Sequence, residues 1–366
     1  MEVPVKQRIQ RVKQEMEEQS VDLMMLVTGA NMKYLTGFEA KSSGRHMVLV
    51  VPRDGDPEFF TPQMVREEVK ETGLKATFWD DDQDVVDEFV SFLGKFDGNR
   101  VLLDDKMWEL FSRDVKRVLD TEFGLASEIM DGIRAVKTED EIDRIRRASE
   151  IADSVFEDLR DKDIVGMKEI ELKEFIENRM RELGGHGPSF DTIVASGPNG
   201  SKPHHVSSER IIENGDPVVL DFGCWVDGYP SDQTRTIVAG GQEPSEKFRE
   251  VFQIVKEAQQ KGIRSVSPGV QDKYVDDVVR EVIEKAGYGD EFIHRTGHGV
   301  GVEIHESPKI PPKNHETKMK LQPGMVFSVE PGIYIEGEFG VRIEDLVLVT
   351  EEGFERLNKT GNDWYS

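Results

Sequence analysis

The chain has 366 residues, more than one ordinary core accommodates, so two domains are expected. Apolar residues make up 37% and charged residues 33%, a polar composition that still lies far from that of a disordered chain. Asp plus Glu number 72 against 47 Lys plus Arg, a formal charge of -25 that argues against nucleic acid and anionic membranes as partners.

Residues 1–19 are rich in Lys, Arg, Glu and Gln and lack the apolar core of a signal peptide. No later run approaches the ~20 apolar residues that span a bilayer, so a soluble cytoplasmic protein is expected. Its acidity reads as a solvated surface, with adaptation to a salty cytoplasm as the alternative. The pattern predicts a helix over 8–18 and strands over 21–28 and 46–52, then a turn at Arg53-Asp54-Gly55-Asp56 feeding another strand. Helices are predicted over 64–72, 84–96 and 107–119, with a strand over 100–103; this alternation indicates an α/β N-terminal domain, residues 1–130. A charged helix over 138–160 opens the second domain, residues 131–366, and Thr138 with Glu141 has capping-box spacing. Helices follow over 168–183, stopped by Gly184-Gly185, then over 245–266 and 271–286. Strands and turns dominate the last third, so this domain is α+β.

The chemistry gathers in this second half. Asp227-Gly228 between two strand-like runs, 218–226 and 229–238, is a hairpin signal. A turn centred there pairs Asp221 with Thr234 and Asp232 with Gly223. Asp221 and Asp232 then lie on one face as diagonal neighbours, with Cα atoms roughly 7–8 Å apart. Solvated hairpin aspartates are the ordinary alternative, but Asp221 sits in an apolar run, where an unpaired carboxylate is costly and calls for a cation. Cys224, the single cysteine, has the opposite parity and points to the core. One cysteine excludes a disulfide framework, a Cys-based zinc site and thiol-pair redox work, and fits a reducing compartment.

Residues 325–330 and 341–350 read as strands around a turn at Gly337, a register that sets Glu330 opposite Glu344. Between the two hairpins, Gly297-His298-Gly299-Val300-Gly301 lacks the spacing of a dinucleotide loop. From Val300 onward, alternation puts Val300, Val302 and Ile304 on one face and Gly301, Glu303 and His305 on the other. No HExxH and no GxSxG occurs, which leaves zincins and nucleophile-elbow hydrolases without support.

The segments Asp221-Phe222-Gly223, residues 228–236, Gly297-His298-Gly299-Val300-Gly301, Glu303-Ile304-His305-Glu306, Glu330-Pro331-Gly332 and Arg342-Ile343-Glu344-Asp345 together resemble the Xaa-Pro peptidases. These are prolidase and aminopeptidase P, of the pita-bread metallopeptidase family M24. The resemblance extends to residues 137–146, Pro203-His204 and Tyr34-Leu35-Thr36-Gly37-Phe38, and so covers essentially the whole chain. It implies a creatinase/prolidase-type N-terminal α/β domain, a C-terminal pita-bread domain and two divalent metal ions per chain. Asp221 would bind one ion, Asp232 and Glu344 would bridge both, and His298 and Glu330 would complete the second. Four carboxylates against two divalent ions leave a near-neutral site. Mn²⁺ or Co²⁺ suits such oxygen-dominated ligation best, with Zn²⁺ and Fe²⁺ as alternatives.

By the same resemblance, Glu330 takes the proton from the attacking water, His305 steadies the carbonyl oxygen, and His204, preferred over His205, contacts the substrate. Arg342 is expected to hold Asp345 or a ligand carboxylate, and Tyr229 to line the pocket. The dipeptide-cleaving members often carry an arginine a few residues after the His-Glu pair; here Lys309 stands there, without the bidentate fork. A proline-containing dipeptide is favoured as substrate, with longer Xaa-Pro peptides or a non-peptide C–N bond as alternatives. The family resemblance also implies a homodimer.

Overall fold

The computed structural model describes residues 4–41, 43–312, 315 and 319–363. Its contacts divide the chain into two compact units, Met1–Arg134 and Ala135–Ser366.

In the first unit come α1 (Val5–Glu18), β1 (Leu23–Val27), α2 (Ala30–Thr36), β2 (Val48–Pro52) and β3 (Glu58–Pro62). They are followed by α3 (Arg66–Glu71), β4 (Lys75–Trp79), α4 (Val85–Leu93), β5 (Arg100–Leu103), α5 (Glu109–Val118), β6 (Glu122–Leu125) and α6 (Ser127–Ala135). The six strands form one sheet in the order β4-β3-β2-β1-β5-β6. Central β1 is apolar throughout and buried throughout, as a strand covered on both faces must be. It runs antiparallel to β2 and parallel to β5. On α4, Asp84 caps the helix by accepting from the backbone N–H groups of Val86 and Asp87. Its Phe89 and Phe92 then pack on Phe60 of the sheet. The sequence pattern does not predict α2, β4, β6 or α6. The two strands among them are the sheet edges, whose exposed positions break the apolar signal.

The second unit opens with α7 (Glu139–Arg160), where Thr138 and Glu141 form the predicted capping box. After it come α8 (Glu169–Glu182), β7 (Ile193–Ser196), β8 (Pro217–Phe222), β9 (Trp225–Val226), β10 (Tyr229–Pro230) and β11 (Gln233–Val238). The chain continues through α9 (Glu246–Arg264), α10 (Lys273–Lys285), β12 (Val326–Val329), β13 (Gly332–Ile335), β14 (Phe339–Arg342), β15 (Asp345–Thr350) and β16 (Gly353–Arg356). One apolar cluster joins Phe156 of α7, Leu172 and Ile176 of α8, and Leu220 and Phe222 of β8, with Cys224 buried among them. Another joins Phe248 and Phe252 of α9, Val279 of α10, Phe327 of β12 and Val347 of β15. No helix among the described residues is long and apolar enough to cross a membrane.

The first hairpin has the predicted register, with Asp221 opposite Thr234. Asp227 (φ 47°) and Gly228 (φ 83°) both adopt the left-handed conformation that a two-residue hairpin turn requires. The second hairpin also keeps its register: Gly332 pairs with Arg342 and Val329 with Asp345, so Glu330 and Glu344 face each other between two ladders.

Two expectations are corrected. The predicted strand over 341–350 is two strands, β14 and β15, interrupted at Ile343 and Glu344. There the chain leaves its β13 partner, and the Glu344 N–H donates to the carbonyl of Thr234 instead (3.1 Å). Residues 300–305 are not an alternating strand either. Gly299 bridges to both Glu306 and Phe327, so the chain folds back on itself, and Ile304 and His305 line the same cavity. The tight return needs glycine: a Cβ on Gly299 would collide with the Ser307 backbone, and one on Gly301 with the Glu306 carboxylate.

Candidate metal centre

Within the second unit, β8, β11, β14, the 297–305 loop and the residues around Glu330 and Glu344 converge on a cavity of about 350 Å³. Asp221, Asp232, His298, Glu330, Glu344, His204, His305 and Arg342 all line it, together with His205, His294, Arg295, Phe190, Ile193, Val206 and Ile304. Ligand atoms of Asp232, His298 and Glu344, all buried, lie within 4.8 Å of one another. The His298 Nε2 is 3.5 Å from Asp232 Oδ2 and 3.4 Å from Glu330 Oε1. Its Nδ1 lies 3.2 Å from the Gly299 carbonyl, the placement that leaves Nε2 free to act as a ligand.

These carboxyls are held where charge is costly. Burial, then the neighbouring Glu344, Asp221 and Glu330 carboxylates, push the Asp232 carboxyl well above its ordinary range. Burial with Glu330 and Asp221 does the same to Glu344, and burial raises Glu330 to about 7. Burial also drives His298 down to about 3, so its imidazole is neutral and its lone pair available. Thr234 Oγ1 donates to Glu344 Oε2 (2.6 Å), yet Glu344 Oε1 and Asp221 Oδ1 are buried with no hydrogen-bond partner among the described residues. Four crowded carboxyls with unpartnered oxygens fit divalent cations: the cations would replace the missing partners and offset the charge. The donors are oxygens and one imidazole, with no thiolate, because Cys224 is buried in the core and its thiol is pushed up to about 12 by burial.

The other expected residues divide. His305 lies against His298, with ring centroids 4.1 Å apart and the rings tilted by 57°. His204 is exposed at the cavity, while His205 is tied by Nε2 to the Glu169 carboxylate at 2.8 Å. Arg342 reaches the cavity but does not hold Asp345. Its Nη2 donates to Asp221 Oδ2 (2.5 Å) and its Nη1 to the Tyr334 hydroxyl (2.8 Å). Asp345 is held by Arg235 (2.6 Å) and Gln259 (2.7 Å), because the break at Ile343 and Glu344 sends β15 toward a different set of partners.

Tyr229 does not line the cavity. On β10 it packs against α7, donating to Glu141 Oε1 (2.5 Å) under the Arg144 guanidinium. Tyr229→Phe is therefore expected to leave kcat/KM unchanged while lowering unfolding stability by about 1–2 kcal/mol, through the buried hydrogen bond to a carboxylate that it removes. Paired denaturation and kinetic measurements check this, and a loss of activity at unchanged stability would count against it.

Sequence reasoning missed His294, Arg295 and Tyr334. Tyr334 lies on β13, within the 331–340 segment that reads as the turn between two strands, so no strand parity marked it. His294 donates to or accepts from the Tyr334 hydroxyl (2.9 Å) and lies four residues before His298, but nothing in its spacing marks it.

The chain matches metallopeptidase family M24 over residues 143–351 and the creatinase/prolidase N-terminal domain over residues 8–136. The Xaa-Pro dipeptidase of Pyrococcus furiosus is 38% identical over 363 residues, 97% of this chain and 99% of its own length. The crystal structure of a recombinant prolidase from Thermococcus sibiricus superposes with a TM-score of 0.92 at 36% identity, covering 100% of this chain and 99% of that one. An X-Pro aminopeptidase from Thermotoga maritima superposes at 0.83 with 31% identity, covering 98% and 99%. Converging carboxylates around a neutral imidazole, matched along the whole chain, identify this protein as a hydrolase of metallopeptidase family M24, with a creatinase/prolidase N-terminal domain ahead of a pita-bread catalytic domain.

Proposed function

We propose that the protein hydrolyses the peptide bond before proline, with Xaa-Pro dipeptides as its preferred substrates. The observation that carries this is the buried cluster of Asp232, His298 and Glu344 opening onto a cavity of about 350 Å³. That volume lies at the small end of the roughly 300–1,000 Å³ range of ligand cavities and suits a dipeptide. The relatives named as Xaa-Pro dipeptidases support the same reading.

In this proposal Asp221, Asp232, His298, Glu330 and Glu344 would hold two divalent ions, Asp221 serving one, His298 and Glu330 the other, and Asp232 and Glu344 both. Mn²⁺ or Co²⁺ suits the oxygen-rich donor set. When bound, such ions would polarise the scissile carbonyl and make a nearby water more acidic. Glu330 accepts the proton of the attacking water, and Ser328 Oγ, 3.0 Å from its Oε1, orients it for that. His305 donates to the carbonyl oxygen as negative charge develops there. Arg342 orients Asp221 through a charge-assisted hydrogen bond. His204, unlike the tethered His205, is free to meet the substrate. By family resemblance the protein works as a cytoplasmic homodimer, a state that sedimentation measurements would check.

The deciding assay compares Ala-Pro with Ala-Pro-Ala in the presence of Mn²⁺ or Co²⁺. Ala-Pro should be cleaved with the higher kcat/KM. Preference for the tripeptide would make the protein an aminopeptidase, and cleavage of neither would refute the proposal.

A further inference from the structure

The loop that brings His204 to the cavity is built around one carboxylate. Glu169, at the start of α8, is fully buried. Its Oε1 accepts from Ser196 N (2.8 Å), Ser196 Oγ (2.7 Å) and Asn199 Nδ2 (3.1 Å). Its Oε2 accepts from Ser208 N (3.0 Å) and Ser208 Oγ (2.7 Å), and lies 2.8 Å from His205 Nε2. Against the upward push of burial, these donors hold the carboxyl down at about 2, so it is ionised throughout the working range.

The donors are not scattered. Ser196 and Ser208 are the two ends of the loop, Asn199 lies on its first turn, and His205 is on its inner arm. Between those anchors, Pro203, His204, His205 and Val206 line the cavity. Both ends and the inner arm thus converge on one ion, whose oxygens carry the hydrogen bonds that a neutral group of the same shape could not all accept. The bonds of Glu169 go to this loop and not to Asp221, Asp232, His298, Glu330 or Glu344. The loop meets the ligand side only indirectly, through the Pro203 carbonyl, which accepts from Arg342 Nη1 at 3.4 Å, so the carboxylate bears first on the segment that carries His204.

We propose that Glu169 is a positioning residue that clamps the 196–208 loop and thereby sets where His204 meets the substrate, an inference that rests on the Xaa-Pro peptidase reading for its kinetic arm alone. The glutamine variant keeps the shape of the side chain but turns an acceptor into a donor facing donors, so the clamp opens while the fold around it is retained.

The test uses the full-length, metal-loaded protein. Glu169→Gln should lower kcat/KM for Ala-Pro by about 10- to 100-fold, the scale for misplacing a substrate-orienting group by about 1 Å. Its metal content should match the parent's. In a His204→Ala background the same change should cost less than about twofold, because the residue it positions is already gone. Equal losses in both backgrounds, or loss of metal, would overturn the proposal in favour of a general structural role. Ser208→Ala, which removes one donor and keeps the charge, provides a gentler second variant if the glutamine protein folds poorly. It should show a smaller loss that likewise vanishes without His204. A second readout does not depend on turnover: the His204 imidazole NMR signals should shift or broaden in Glu169→Gln, and an unchanged His204 signal refutes the clamp. If the parent cleaves neither Ala-Pro nor Ala-Pro-Ala, the peptidase reading fails while this spectroscopic arm still decides the role of Glu169.

Discussion

Asp232→Asn is expected to lose both bound ions and to lower kcat by more than about 100-fold, since even an outer-shell partner of a metal ligand costs about 10- to 100-fold. The asparagine is nearly isosteric, so the effect isolates charge from shape. Asp232 is buried beside Glu344, Asp221 and Glu330, and its carboxyl is already pushed toward the neutral form when no cation is present. A neutral amide removes one member of that repelling set. The metal-free variant should consequently melt no lower than the metal-free parent, a gain in stability coupled to a loss of function that is common at active sites. Metal analysis, calorimetric titration with Mn²⁺ and thermal melts check the three parts. A variant that keeps two ions and full turnover would remove Asp232 from the centre. A variant that melts well below the metal-free parent would contradict the electrostatic account of the site.

Stripping the metal should make stability depend on pH in a way the loaded protein does not show. Glu330 is raised from 4.5 to about 7, and Asp232 and Glu344 are raised with it. Below pH 4.5 Glu330 is protonated both folded and unfolded, and contributes nothing. Above it, the unfolded chain releases the proton while the folded one retains it, so stability falls as pH rises and levels off above about 7. For Glu330 alone the full fall is on the order of 3 kcal/mol. The histidines work in the opposite sense. His298, lowered to about 3, and His294, lowered to about 4, favour the folded state as pH rises toward their ordinary 6.5. Above 6.5 both are neutral in either state and drop out.

Between pH 6.5 and about pH 8, then, the raised carboxyls determine the trend of the site. Only the last part of the Glu330 fall, on the order of 1 kcal/mol, lies above pH 6.5, so the metal-free protein should lose about 2–4 °C of melting temperature across that window, at roughly 2–4 °C per kcal/mol for a unit of this size. Mn²⁺ should restore them, and the gap between loaded and stripped protein should widen toward pH 8 as protons stop competing for the ligands. Melts at both pH values, with and without chelator, measure it; a gap that stays constant or narrows would be inconsistent with carboxyls held protonated by burial.

Much of the centre is encoded locally. Asp227-Gly228 allows both left-handed φ values of a two-residue turn, and that turn alone sets Asp221 opposite Thr234. Gly337 does the same for Glu330 and Glu344. The capping box of Thr138 and Glu141 starts α7 where the sequence places it, and parity alone sends Cys224 into the core. Each of these depends on residues within one hairpin or one helix turn, where the side-chain period leaves little choice.

The remainder depends on partners distant in sequence. Thr234, 110 residues before Glu344, breaks the last strand and turns Arg342 toward Asp221 and away from Asp345. Glu141 draws Tyr229 out of the cavity from 88 positions away. Glu169 anchors His205, leaving His204 as the histidine that is exposed. By itself the sequence brought out Asp221, Asp232, His298, Glu330 and Glu344 as candidate ligands through the family resemblance, and it determined the register of the hairpins that carry the carboxylates, because strand alternation and turn chemistry are local. Only the tertiary structure decided which side chains carry charge and which are tethered. Burial and hydrogen bonding are properties of the packed chain, and the groups that supply them here come from segments that meet only after folding.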